Sequence, residues 1–222
     1  KKGTWLASFM LAVCLCAHAE VKLPAIFSDG MVMQQQTKAN LWGTSTPNKK
    51  ITVTTGWNGK QYAATADKNG AWKLSVSTPE AGGPYSITFN DGSKKTLNNI
   101  LIGELWLCSG QSNMEMPMKG FKNQPVENAN MDILRSKNPN IRLFTVKRTS
   151  TFTPQTDVVG TWQEATPANV RDFSATAYYF GRLINEILDV PVGLVVAAWG
   201  GSACEAWMTA DWLKAFPDAK IP

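Results

Sequence analysis

Leu105-Trp106-Leu107-Cys108, followed two residues later by Gly110-Gln111-Ser112-Asn113-Met114, is the most telling stretch of this chain. The apolar run predicts a buried strand, and the segment led by glycine predicts a sharp turn into a helix near Asn113. A serine in such a turn stands clear of the sheet, where it can attack an ester while nearby backbone N–H groups face the developing oxyanion. Ser112 is therefore a candidate nucleophile; the alternative is a serine that only caps the next helix.

The surroundings of Ser112 differ from a standard hydrolase turn in two ways. The standard α/β-hydrolase elbow has glycine two residues after the serine, and this chain has Met114. His18 is the only histidine, and it lies in a segment expected to be removed, so a nucleophile is present without its usual base. Glu115 and Glu205 are the acids that could act as base, but we expect both to be structural or surface residues.

Gly200-Gly201 is the second candidate site segment. It follows the continuous apolar run at residues 192–198, which is typical of a strand buried on both faces. Because the carboxyl ends of parallel strands meet at one edge of a sheet, we expect this turn to lie beside Ser112. Backbone N–H groups of Ser112, Gly201 and Gly200 are thus candidate oxyanion donors, and a merely flexible turn is the alternative.

Residues 101–222 alternate between strand and helix patterns. Strands are predicted at residues 105–108, 141–147 and 192–198, and helices at 127–137, 173–188 and from 209 onwards. In the clearest helix the predicted buried stripe is Ala177, Phe180, Ile184, Ile187 and Leu188, with Asp172 or Ser174 as N-cap. This alternation predicts an α/β fold, a three-layer α/β/α domain around a parallel sheet. Since three strands would leave an open edge and a half-covered face, we expect the domain to be truncated here.

The pattern of residues 20–100 predicts an all-β segment. Alternating runs recur at residues 39–42, 50–55, 61–66, 71–76, 85–89 and 94–97, separated by turn signals of which Asn58-Gly59 is the sharpest. Short strands at this spacing predict a small β-sandwich domain. Such a module can bind sugar or brace an enzyme, and we favour bracing.

Residues 1–19 have the order of parts of a secretory signal peptide. Lys1 and Lys2 precede an apolar stretch too short to span a bilayer, and Ala17-His18-Ala19 forms a cleavage site before Glu20. We therefore expect a secreted or periplasmic protein without a membrane span. A lipoprotein anchored through Cys14 is the less favoured alternative.

Composition excludes several classes of protein. The chain has 22 Lys and Arg against 17 Asp and Glu; without Lys1 and Lys2 the net charge falls from +5 to +3, and the basic residues are scattered, which argues against nucleic-acid binding. No phosphate loop or metal-ligand cluster is present, so neither a metal nor an organic cofactor is expected. The remaining cysteines, Cys108 and Cys204, could form one disulfide, although Cys108 reads as a buried strand residue.

Residues 21–213 resemble the N-terminal portion of the sialate O-acetylesterase (sialic-acid-specific acetylesterase) family, a branch of the SGNH-type hydrolases. The matching stretches are residues 23–34, 70–72, 81–85, 105–117, 173–175, 191–194 and 199–202. The Gly-Gln-Ser-Asn-Met and Trp-Gly-Gly blocks together are the most specific of them.

The resemblance implies an esterase that removes O-acetyl groups from sialic acid, with Ser112 as nucleophile and the N–H groups of Ser112 and Gly201 or Gly200 as oxyanion donors. It also implies a catalytic Asp and His from a late block that is not in this chain, so these 222 residues alone are expected to be inactive. An acetylxylan or other polysaccharide O-acetylesterase is the alternative within enzymes. A non-catalytic carbohydrate-binding protein is the alternative outside them.

Overall fold

The computed structural model of the protein describes residues 20–216 and 218. The predicted signal peptide, residues 1–19 with Cys14, lies outside the described residues. Within the described part, no helix has the length and apolar character needed to cross a membrane.

Ten strands and five short or medium helices make up the described chain. The strands are β1 (Val32–Gln34), β2 (Lys38–Thr44), β3 (Lys50–Thr55), β4 (Gln61–Thr65), β5 (Ala71–Ser77), β6 (Gly82–Asn90), β7 (Lys94–Gly110), β8 (Asn138–Thr145), β9 (Trp162–Ala165) and β10 (Val192–Ala198). The helices are α1 (Ser112–Glu115), α2 (Ala129–Leu134), α3 (Pro167–Arg171), α4 (Ala175–Leu188) and α5 (Ala210–Leu213), with a 3₁₀ turn at Cys204–Trp207.

One large sheet runs through the molecule in the order β4-β3-β6-β7-β10-β8-β9, and β1 also pairs with β7. Its first half is antiparallel, with β6 pairing against the start of β7. Its second half is parallel, because β10 lies between β7 and β8 and runs in the same direction as both. The mixed α/β fold is thus as the sequence predicted, whereas one sheet continuing through both predicted parts and the antiparallel edge strand β9 were not predicted.

The N-terminal strands enclose a core between two sheets. The separate pair β2–β5 contributes Leu41 and Val76, which belong to the same cluster of buried side chains as Ile51 and Phe89 of the large sheet. Every run predicted between residues 39 and 97 overlaps a strand, and only residue 66 of these runs lies outside one. The division into a β-sandwich domain at 20–100 and a hydrolase domain at 101–222 stays a prediction, and β7 runs without interruption across that boundary.

Helix α4 covers one face of the parallel strands, but through only part of the stripe that the sequence predicted, namely Ala177 and Ile184. Ser174 is the N-cap, and its hydroxyl accepts the Ala177 N–H at 3.2 Å. Ala177 is buried as predicted, whereas Phe180 is 38% and Ile187 is 66% exposed. The buried side of α4 differs from the predicted one for a steric reason. The helix approaches β10 so closely that a Cβ on Gly181 would come within 2.6 Å of the Leu194 side chain. The buried side of the helix therefore carries Ala177, Tyr178 and Gly181, with Ile184 partly buried against the same core, whereas Phe180 and Ile187 are exposed.

The other face of the parallel strands is covered differently. Phe144 and Val195 pack into the core that the N-terminal strands supply. Among the described residues the second helical layer is not seen, and it stays a prediction. Residues 104–110 of β7 pair with β10 on one side and, within the described chain, with no strand on the other.

The two cysteines of this part of the chain are both free thiols. Cys108 is buried on β7, as expected, and burial raises the pKa of its thiol. Cys204 is exposed on the 3₁₀ turn.

Candidate active site

Ser112 lies where the longest strand of the sheet ends. β7 stops at Gly110, Gln111 takes the N-cap position, and Ser112 is the first residue of the single-turn helix α1. The predicted strand, turn and helix are therefore all present, with the helix beginning one residue before the expected Asn113. The prediction that residues 105–108 are buried is wrong, because Leu105, Trp106 and Leu107 are exposed and only Cys108 is buried. The Ser112 side chain is exposed, so the hydroxyl is open to a substrate from solution.

The Gly200-Gly201 turn lies beside Ser112, as the parallel-sheet argument predicted. β10 is in register with β7 up to the pair Ala198 and Gly110, and the Trp199 N–H donates to the Gly110 carbonyl at 3.0 Å. A Cβ on Gly200 would lie 3.7 Å from Ser112 Oγ. Both turns thus meet at the carboxyl edge of the parallel strands, where ligand sites of such sheets are found.

Three backbone N–H groups were candidates for the oxyanion site, and they differ in this structure. The Gly200 N–H donates to the carboxylate of Glu115. Within the described residues, the N–H groups of Ser112 and Gly201 donate no hydrogen bond. Unpaired backbone donors on two adjoining turns are the kind of group that an oxyanion site requires, since such a site needs donors aimed at the developing charge.

The Ser112 hydroxyl has no base beside it in the described part of the chain. Its hydrogen bond goes to Gln111 Oε1 at 2.9 Å. Glu115 is held by Arg148 and by the Gly200 N–H, and Glu205 lies on the 3₁₀ turn without a hydrogen bond to Ser112. Neither candidate acid therefore contacts the hydroxyl, and His18 lies outside the described residues.

A cleft of about 450 Å³ opens next to the α1 turn. Its charged lining residues are Glu115, Lys119, Lys122, Arg148 and Asp172, three cations against two acids. Lys119 pairs with Asp172, and the hydrogen bond from Lys119 holds the pKa of that carboxyl below its usual range. The excess positive charge would favour an anionic ligand group.

Arg148 is the site residue that sequence reasoning missed. It follows β8, whose carboxyl end lies at the same edge as the ends of β7 and β10. A signal did exist, because residues just after parallel strands converge at this edge. Among residues 20–216 and 218, no group of three or more His, Cys, Asp or Glu side chains is placed to hold a metal ion.

The chain is similar to known carbohydrate esterases. A family model described as carbohydrate esterase, sialic acid-specific acetylesterase, matches residues 102–216, just over half of the chain. A crystal structure of a carbohydrate acetylesterase from Xanthomonas citri superposes with a TM-score of 0.82 and 34% sequence identity, covering 88% of this chain and 44% of that one.

Curated proteins similar to this chain are sialate O-acetylesterases. Sialate O-acetylesterase from Homo sapiens is 27% identical over 212 residues, which cover 87% of this chain and 40% of the human protein. The enzyme from Rattus norvegicus is 29% identical over 231 residues, covering 96% of this chain and 42% of the rat protein. The chain thus spans about two fifths of the length of these relatives. It belongs to the sialic acid-specific acetylesterase family of carbohydrate esterases.

Proposed function

We propose that this chain supplies the nucleophile Ser112 and the oxyanion donors of an enzyme that hydrolyses O-acetyl esters of sialic acid. The observation that carries the proposal is the juxtaposition of two turns at one sheet edge. Ser112 Oγ is exposed there, and the N–H groups of Ser112 and Gly201 make no hydrogen bond in the described part of the chain.

The reaction that fits these groups is a two-step acyl transfer. Ser112 Oγ gives up its proton and attacks the acetyl carbonyl carbon, and the two backbone N–H groups bind the resulting oxyanion. The C–O bond to the sugar then breaks, the sugar oxygen takes a proton, and acetyl-serine remains. Water attacks this ester and releases acetate, so no metal or organic cofactor is required.

The general base is assigned by resemblance. A histidine oriented by an aspartate, from a later block than any in these 222 residues, takes the Ser112 proton and returns it to the sugar oxygen. Loss of such a base typically costs several orders of magnitude in kcat, as serine hydrolases with altered triads do. We therefore propose that the 222-residue chain alone is inactive.

The charge of the cleft supports sialic acid as the substrate class. Sialic acid carries a carboxylate, whereas acetylated xylan is neutral along its backbone. Lys122 lines the cleft without an ion pair in the described part of the chain, and Arg148 is 53% exposed despite its contact with Glu115. Lysine and arginine side chains of this kind bind carboxylates through charge-assisted hydrogen bonds.

The test compares the full-length gene product with its Ser112→Ala variant and with the 222-residue chain. Acetate release is measured on O-acetylated sialic acid and on acetylated xylan. We expect turnover of the sialic acid ester by the unmodified protein only, with the fold of the alanine variant unchanged by circular dichroism. Release of acetate by the alanine variant refutes the nucleophile. Faster acetate release from xylan than from sialic acid would indicate a neutral polysaccharide as the substrate. Sugar binding without turnover would support a non-catalytic carbohydrate-binding protein.

We also propose that residues 1–19 direct export and are removed, leaving a secreted or periplasmic protein. The order of charged, apolar and small residues before Glu20 supports this. N-terminal sequencing of the protein from its native host should give Glu20 first, and exported protein that still carries residues 1–19 would contradict it.

A further inference from the structure

Glu115 joins the two turns of the candidate site. One carboxylate oxygen pairs with the Arg148 guanidinium, and the other accepts the Gly200 N–H. The Glu115 side chain is only 17% exposed, while that of Arg148 is 53% exposed. The carboxylate is thus largely buried between a cation and a backbone donor, a setting in which charge-assisted hydrogen bonds are strong.

The contact matters because few others hold the Gly200-Gly201 turn against Ser112. Glu115 lies on the same helical turn as Ser112, three residues further along α1. Within the described residues, only this bond and the one from the Trp199 N–H to the Gly110 carbonyl connect the two turns. Nothing lies within 4 Å of a Cβ built on Gly201, so no side chain packs there to fix that residue.

The absence of a side chain at Gly200 also allows its N–H to contact the Glu115 carboxylate. A Cβ on it would lie 2.6 Å from the Glu115 carboxylate oxygen, so any side chain would push the carboxylate away from the N–H. An oxyanion site works only if both donors point at the position that the charged oxygen will occupy, with spacings of about 2.7–3.1 Å. A small displacement of the Gly201 N–H would therefore lower the rate of the chemical step.

We propose that Glu115 is a positioning residue: by holding the Gly200 N–H, its carboxylate keeps the Gly201 N–H aimed beside Ser112 Oγ, and Arg148 compensates its charge. The inference rests on the proposed function. It gives Glu115 a role as hydrogen-bond acceptor, which is different from that of a general base.

The experiment measures kcat and KM of the full-length gene product with Glu115→Ala, Glu115→Gln and Glu127→Ala. Glu127 is an exposed acid whose side chain makes no hydrogen bond or ion pair in the described part of the chain, so it is the matched control. We expect Glu115→Ala to lower kcat about 100-fold with KM changed less than about threefold, because only the transition state uses the aimed donor. Glutamine keeps an acceptor oxygen, so Glu115→Gln should restore kcat to within about tenfold of the unmodified protein.

Two outcomes overturn the inference. A Glu115→Ala variant with kcat within about threefold of the unmodified protein removes the positioning role. A Glu115→Gln variant as slow as Glu115→Ala shows that the charge or the proton of Glu115 is needed instead.

Failure of the proposed function gives a different result. Either Ser112→Ala still releases acetate, or neither the unmodified protein nor any variant releases it. In that case, amide hydrogen exchange at Gly200 still decides the contact. It should quicken by about 10- to 100-fold in Glu115→Ala and by much less in Glu115→Gln, as expected for losing a bond to a charged acceptor. Unchanged exchange at Gly200 would overturn the inference even if the alanine variant lost activity through misfolding.

Discussion

Arg142 on β8 is a buried cation whose loss should destabilise the whole molecule. Its side chain is 4% exposed, and its guanidinium donates to the Pro139 carbonyl at 2.8 Å, the Gly30 carbonyl at 3.2 Å and Asn99 Oδ1 at 3.1 Å. Glu164 pairs with it at 3.4 Å but is 48% exposed. Burial lowers the pKa of the guanidinium, and the nearby carboxylate of Glu164 opposes that effect.

The expected cost of Arg142→Met follows from these partners. Methionine fills part of the volume but leaves the buried Gly30 carbonyl and two partly buried oxygens without a donor, and an unsatisfied buried acceptor typically costs about 1–3 kcal/mol in the free energy of unfolding. Glu164→Gln is the matched control, because a half-exposed ion pair contributes at most about 1 kcal/mol. Arg142→Lys should fall between the two, since one ammonium group replaces a planar fork that reaches three acceptors in different directions.

Urea unfolding followed by tryptophan fluorescence checks these values, with the slope against urea confirming that the unfolded states are comparable. The reasoning is refuted if Arg142→Met loses less than about 1 kcal/mol, or if Glu164→Gln costs as much as Arg142→Met. The first result would mean that water replaces the guanidinium at little cost. The second would make the ion pair with Glu164, and not the hydrogen bonds to Gly30, Pro139 and Asn99, the source of stability.

Two further predictions concern α4 and the candidate site. The Arg182 guanidinium and the Tyr179 hydroxyl hold the pKa of Asp132 below its usual range, so its carboxylate stabilises the fold above the unfolded-state pKa of about 4 and that contribution is lost as the pH falls through the folded-state pKa. Asp132→Asn should therefore cost about 1 kcal/mol at pH 7 and progressively less below pH of about 4 in thermal unfolding, and a gap independent of pH would contradict this. Gly200→Ala should lower acetate release by about 10- to 100-fold in a full-length protein that still folds, because the new Cβ lies 2.6 Å from the Glu115 carboxylate; unchanged release would contradict it.

The local sequence pattern predicted the strands correctly where a single feature, such as alternation or a continuous apolar run, dominated the segment. The alternation at residues 50–55 and the apolar run at residues 192–198 coincide with β3 and β10 at both ends. Neighbouring turn residues, such as Asn58-Gly59 after β3, separated these signals clearly. The position of Ser112 beside the Gly200-Gly201 turn was also predictable, because parallel strands bring their carboxyl ends to one edge.

What failed depends on tertiary contacts. The short pair β9 and α3 lies in a stretch with little hydrophobic periodicity, and β9 forms only by pairing with β8 at the sheet edge. The buried side of α4 was misjudged because several of its sides are apolar, and the fit of Gly181 against Leu194 selects one of them. The role of Glu115 could not be found either, since its contacts with Gly200 and Arg148 join residues 85 and 33 positions away.

Strand β7 has a consequence for how this protein can change during evolution. Its first residues pair with β6 in the antiparallel half, and its last seven pair with β10 and carry the chain into Ser112. Recombination within residues 94–110 would join the serine turn to a strand whose first residues evolved to pair with a different β6. The antiparallel half and the serine are therefore expected to be inherited as one unit, so the two predicted domains would not be interchangeable parts.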